Sequence, residues 1–110
     1  MPTHRTQGIL TVGAWRELDS ENALAFQDAV QDSIGEGDRG VVVDCKKLSY
    51  ISSAGLRALL AVSRALSRRK TPLVMCELDR QVQRVFAITG FDRVIPTYHT
   101  REEAVAAIRR

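Results

Sequence analysis

The sequence predicts an α/β domain on a mostly parallel sheet of four to five strands, with about four helices. Three observations carry that expectation. Val41-Val-Val-Asp44 and Leu73-Val-Met-Cys76 are short apolar runs of the kind that lie buried on both faces of a parallel sheet. The segments between and after them repeat their apolar residues at helical spacing and end at capping or breaking residues. A chain of 110 residues, 45% hydrophobic and 26% charged, supplies one core, so a single domain over residues 1–110 is expected.

The elements follow in order. Gly8-Ile-Leu-Thr-Val-Gly-Ala-Trp15 is rich in strand formers and predicts a strand over about 8–15, with Gln7-Gly8 suited to turning a hairpin from residues 3–6. Leu18-Asp19-Ser20-Glu21-Asn22 offers several N-caps for a helix near 21–34, in which Ala23, Phe26, Val30 and Ile34 form an apolar stripe that stops at Gly35. The strand at 41–45 comes next. A helix over about 54–68 gathers Leu56, Leu59, Leu60, Val62 and Leu66 on one face and sets Arg57, Ala61, Arg64 and Arg68 along another. Pro72 keeps Thr71 out of the helical region, and the strand at 73–77 begins. Asp79 is placed to cap a helix over 79–89 that closes at Gly90, and Val94-Ile95 predicts a brief strand near 93–95. Thr100-Arg-Glu-Glu103 is a capping box that opens a last helix over 101–109.

Composition narrows the function. Sixteen basic against thirteen acidic residues leave a net charge of +3, below the density of a dedicated nucleic-acid binder. Cys45 and Cys76 each sit alone in an apolar run, which reads as buried thiols in a reducing compartment and not as a disulfide framework. No apolar stretch approaches the roughly 18 residues of a membrane span, and the first residues lack the pattern of a signal peptide. A cytoplasmic protein with no membrane or nucleic-acid partner is expected. His4 and His99 lack metal-ligand spacing, and there is neither a phosphate-binding glycine loop nor a nucleophile elbow, so no metal and no cofactor are expected.

The chemistry is expected beyond the carboxyl ends of the strands, in the loop Cys45–Gly55. Ser52 and Ser53 fall at the N-terminal edge of the following helix, where free backbone N–H groups favour a hydroxyl or an added anion. Two readings stand side by side: a serine N-cap, or a phosphorylation site. Gly55 permits close approach of another segment. Asp19 reads as an N-cap of the first helix, and the arginine stripe as a solvated face. That stripe nevertheless borders Ser53, because Arg57 is one turn on.

The run Leu48-Ser-Tyr-Ile-Ser-Ser-Ala-Gly-Leu-Arg57, placed after Val-Val-Val-Asp44, resembles the signature loop of STAS domains, the anti-sigma factor antagonist family. Glu17-Leu18-Asp19, Val74-Met75-Cys76 and Thr89-Gly90-Phe91-Asp92 extend the resemblance over about residues 8–108. In that family the loop usually reads Asp-Ser-Ser/Thr-Gly-Leu, and an ATP-binding serine kinase of the anti-sigma type phosphorylates the first serine after the Asp. The resemblance therefore implies Ser53 as phosphoacceptor, with Ser52, Ala54 and Gly55 around it. Ser52 replaces the usual Asp, Ala54 the second hydroxyl residue, and Arg16 a frequent glycine. Asp19 resembles the acidic residue near the family's phosphoserine. The implied function is a partner switch and not an enzyme: the loop, Asp19, Arg57 and Arg64 meet the kinase, phosphate on Ser53 breaks the contact, and a PP2C-type phosphatase resets it.

Two alternatives remain from the sequence. An Asp-phosphorylated receiver is suggested by Asp44 and Lys70-Thr-Pro-Leu-Val-Met75, but Gly-Ala-Trp-Arg after the first strand lacks the acidic pair that would hold its metal. A STAS scaffold that is never phosphorylated is the other.

Overall fold

Gln7 and Gly8 both take positive φ, 54° and 82°, in the computed structural model, which describes residues 2–109. Two successive left-handed residues make a tight turn whose twist suits a two-stranded ribbon, so β1 (Thr3–Thr6) folds back antiparallel on β2 (Ile9–Gly13) as expected. The chain continues through β3 (Glu17–Leu18), α1 (Ala23–Ser33), β4 (Gly40–Asp44), β5 (Tyr50–Ile51), α2 (Ser53–Arg68), β6 (Leu73–Cys76), α3 (Arg80–Thr89), β7 (Thr97–Tyr98) and α4 (Arg101–Arg109). The main sheet has the order β1-β2-β4-β6-β7 and is parallel from β2 to β7. β3 and β5 form a separate two-stranded parallel ladder.

The continuous apolar runs of β4 and β6 are buried along their whole length because both faces of the sheet are covered. α1, α2 and α3 lie on the front, where Phe26, Val30, Leu59, Val62 and Phe86 meet Leu10, Val12, Val41, Val43 and Met75. α4 lies on the back, where Ala104, Val105 and Ile108 meet Ile9, Val42, Val74 and Cys76. Period-two alternation along each strand sends neighbouring residues to opposite cores. Cys45 and Cys76 are buried free thiols, as expected, and belong to opposite cores. Burial raises both, Cys76 to about 12, which keeps them protonated and unreactive near neutral pH.

Two expectations are corrected, and one ladder is added. The predicted strand near 93–95 is absent: Gly90 ends α3 in the left-handed region, Phe91–Arg93 make a short 3-10 turn, and the strand forms at Thr97–Tyr98. Ile95 is apolar because it is buried in the front core, while Val94 beside it is 53% exposed, so side-chain packing and not a hydrogen-bonded ladder accounts for the pair. The β3–β5 ladder has no signature in the sequence, since two residues a side carry no readable alternation. Leu56 and Leu60, read as members of the buried face of α2, are only half-buried at its margin, whereas Leu59, Val62 and Leu66 are buried. Smaller shifts have local causes. Glu77, at φ 62°, leaves the strand region, so the 73–77 strand stops at Cys76.

One side-chain tie closes the end of the domain opposite α2's N-terminus, and a local cap opens α4 at the other. Arg5 of β1 donates from Nε and Nη2 to both carboxylate oxygens of the buried Asp38, at 2.9 and 3.0 Å, and from Nη2 to the Ser33 carbonyl at 2.7 Å. The capping box is formed as expected: Glu103 N–H donates to Thr100 Oγ1 at 3.0 Å and Thr100 N–H to Glu103 Oε1 at 3.2 Å.

Candidate functional site

The loop from β4 to α2 is held by a second loop, residues 14–19. Ser49 donates to the Arg16 carbonyl from both its backbone N–H and its hydroxyl, at 2.9 and 3.2 Å. Glu17 pairs with Tyr50 and Leu18 with Ile51 in the short ladder, and Ser52 N–H donates to the Leu18 carbonyl at 2.9 Å. The ladder thus brings Asp19 and Ser52, the residues that follow on each side, to one place on the surface.

The serines of this loop differ in what their hydroxyls do. Ser52 is the N-cap of α2, extended at φ −93° and ψ 175°, and its Oγ accepts from Gly55 N–H at 3.3 Å. Ser49 is committed to Arg16. Ser53 is the first helical residue, is exposed, and its hydroxyl makes no hydrogen bond among the described residues. The two readings left open for this pair therefore divide between the residues: the cap belongs to Ser52, and the free hydroxyl at the helix start to Ser53. Ala54 is half-buried, and Gly55 is buried against Leu18.

Asp19 is not the N-cap of α1, contrary to its sequence reading: it closes the turn that precedes the helix. Its Oδ1 accepts from Glu21 and Asn22 N–H at 3.0 and 3.2 Å, and Asn22 Oδ1 accepts from Asp19 N–H at 2.9 Å. Asn22 occupies the N-cap position of α1 without a side-chain cap bond of its own. The pair makes a rigid turn that fixes where Asp19 stands relative to the Ser52–Ser53 edge.

Arg57, Arg64 and Arg68 are exposed along α2, which has no acidic residue, and none is in a salt bridge among the described residues. Arg57 is one turn from Ser53, and Arg64 is about 10 Å further along the axis. The structure adds two residues that the sequence pattern did not single out. Tyr50, 53% exposed, stands in β5 just before the Ser52 cap, and Leu24, 68% exposed, lies in the first turn of α1. An aromatic two residues ahead of a cap was the only signal in the sequence, and it has no periodicity to reveal it.

Asp44 ends β4 and its Oδ1 accepts from Lys46 N–H at 3.0 Å, a local turn contact. Among the described residues no three His, Cys, Asp or Glu side chains converge as a metal site, and no helix is long and apolar enough to cross a membrane.

Comparison with known proteins agrees with this geometry. The STAS domain family model matches residues 1–104. A relative from Bordetella bronchiseptica, provisionally named anti-sigma factor antagonist BtrV, is 37% identical over 105 residues, covering 96% of this chain and 90% of the relative. An anti-sigma-B factor antagonist of Listeria monocytogenes is 28% identical over 81 residues, covering 72% of this chain and 69% of its own. In fold, the crystal structure of a provisionally named anti-sigma factor antagonist from Thermotoga maritima superposes with a TM-score of 0.91 at 24% identity, covering 99% of this chain and 94% of that one. The mostly parallel five-stranded sheet, the separate ladder that carries the Ser52–Gly55 turn and these matches together make the chain a STAS domain protein of the anti-sigma factor antagonist family.

Proposed function

We propose that this chain is a partner-switching antagonist controlled by phosphorylation of Ser53. Unphosphorylated, it binds an ATP-binding serine-kinase anti-sigma factor through the Ser52–Gly55 turn, Asp19 and the Arg57–Arg64 face of α2. The kinase transfers phosphate to the Ser53 hydroxyl, and the added charge of about −1.5 to −2 separates the partners by repulsion and desolvation at the interface. A metal-dependent PP2C-type phosphatase returns the hydroxyl. The chain is the substrate of both steps and carries out neither, so ATP and metal belong to its partners.

The observation that carries this reading is the division of labour among the loop serines. Ser49 and Ser52 spend their hydroxyls on Arg16 and Gly55, while Ser53 keeps its own free on an exposed helix start. Backbone N–H groups there favour an anion, and Arg57 one turn on adds a cation. The names of the relatives support the partner class.

The test incubates the protein with its cognate kinase and ATP, maps the modified residue by mass spectrometry, and titrates Ser53→Asp and Ser53→Ala against the kinase. Phosphate on Ser53, weakened binding by Ser53→Asp, and binding by Ser53→Ala that ATP does not release are expected. Absence of modification, with Ser53→Asp binding as tightly as the unaltered protein, leaves a constitutive scaffold instead.

A further inference from the structure

The back of the sheet is wider than the single helix that covers it. The β1–β2 register sets His4 beside Thr11 and Thr6 beside Ile9, and Ile9 packs under α4, so His4, Thr6 and Thr11 all point to the back. The part α4 leaves open is a groove with two lobes, about 230 and 300 Å³, that share His4, Thr11 and Arg101. Lys46 and Lys47 line one lobe and Arg109 the other. Arg101, Val105 and Arg109 recur at i, i+4 and i+8, which makes one wall of the groove two helical turns long, roughly 12 Å.

Two observations mark the groove as a site. Thr11 is 6% exposed and its hydroxyl makes no hydrogen bond among the described residues, yet no fully buried side-chain polar atom there lacks a partner. The hydroxyl is therefore the part of Thr11 that opens onto the groove, free to donate to a bound oxygen. The second observation is charge. Lys46, Lys47, Arg101 and Arg109 all line the groove and are in no salt bridge among the described residues, so its basic residues outnumber its acidic ones. Its acidic lining is Asp44, with one oxygen engaged by Lys46 N–H at 3.0 Å, and Glu102.

We propose that this groove binds a small polyanion, a compound with two or more phosphate or carboxylate groups. Cations on both lobes suit a ligand with more than one anionic group better than a single ion. The Thr11 hydroxyl donates to the bound oxygen nearest the floor, Arg101 between the lobes takes a central group, and Lys46, Lys47 and Arg109 neutralise the ends. The site lies on the sheet face opposite α2 and does not depend on Ser53.

The test titrates the isotope-labelled full chain with inorganic pyrophosphate and, separately, with citrate, at constant ionic strength against a sodium chloride reference, following backbone amides by NMR. Saturable shifts at Thr11, Lys46, Lys47 and Arg101 are expected with at least one probe, and the probe that saturates identifies the anionic group. Thr11→Val and Arg101→Gln are each expected to weaken binding roughly tenfold with the fold unchanged. Shifts that match sodium chloride, shifts centred on the α2 N-terminus, or an affinity in both variants as high as in the unaltered protein overturn the site. Saturation by a peptide of Asp and Glu where both small anions fail overturns the small-ligand assignment in favour of an acidic protein segment.

Discussion

A Cβ on Gly55 would stand 2.7 Å from the carbonyl oxygen of Leu18, the same oxygen that accepts the Ser52 N–H. The first turn of α2 therefore docks on the 14–19 loop only because position 55 has no side chain. Ile51 Cγ1 and Leu18 Cβ would lie at 2.8 and 2.9 Å, so the clash has no flexible group to absorb it. Gly55→Ala is expected to lower stability by about 1–3 kcal/mol despite the better helix propensity of alanine. Urea denaturation measures the loss, and amide shifts concentrated at residues 17–19 and 50–56 would place it; an unchanged midpoint would refute the docking argument.

Ser52 and Ser53 are expected to separate in stability as they do in chemistry. Ser52→Ala removes the α2 cap and costs about 1 kcal/mol. Ser53→Ala touches an exposed hydroxyl without a partner and stays within about 0.5 kcal/mol of the unaltered protein. Equal midpoints for the two variants would contradict the cap assignment.

The margin of α2 is set by burial. Leu59→Ala is expected to cost about 2–4 kcal/mol through lost transfer energy and a cavity, and Leu60→Ala clearly less, because Leu60 is only half-buried. Chemical denaturation of the two single variants in parallel decides the order.

Asp38 should make stability depend on acid. The Arg5 guanidinium, with help from Gly35 N–H, outweighs burial and holds its carboxyl below the usual value of 3.8. A depressed folded value means that the stabilisation is present above the unfolded pKa, near 4, and is lost as pH falls through the folded one. Asp38→Asn is expected to lower the melting temperature at neutral pH and to flatten its fall below about pH 4. Parallel acid limbs for both proteins would show that another group governs the transition.

The arginines of α2 are expected to act on association and not on folding. Charge reversal at Arg57 or Arg64 should slow binding of the anti-sigma factor and reduce its salt dependence while the melting temperature holds. Stopped-flow association rates across a salt series check this; identical rates would return the stripe to a solvated face.

Much of this molecule was determined locally. Two apolar runs flanked by helical stripes specify a covered parallel sheet, because period-two burial on both faces leaves no polar position in a strand. The capping box, the Gln7-Gly8 turn and the lone buried cysteines are likewise short-range facts, as is the Ser-Ser-Ala-Gly turn at a helix start. Other features arise only when distant segments meet. The β3–β5 ladder joins residues more than thirty apart through two residue pairs, too few for a pattern, and only that ladder sets Asp19 beside Ser52. Val94-Ile95 looked like a strand because apolar character alone does not distinguish a ladder from a core anchor. The choice among Ser49, Ser52 and Ser53 could not be read locally either: a hydroxyl is free or committed according to which carbonyl or N–H the fold brings to it, and Arg16 reaches Ser49 across 33 positions of chain.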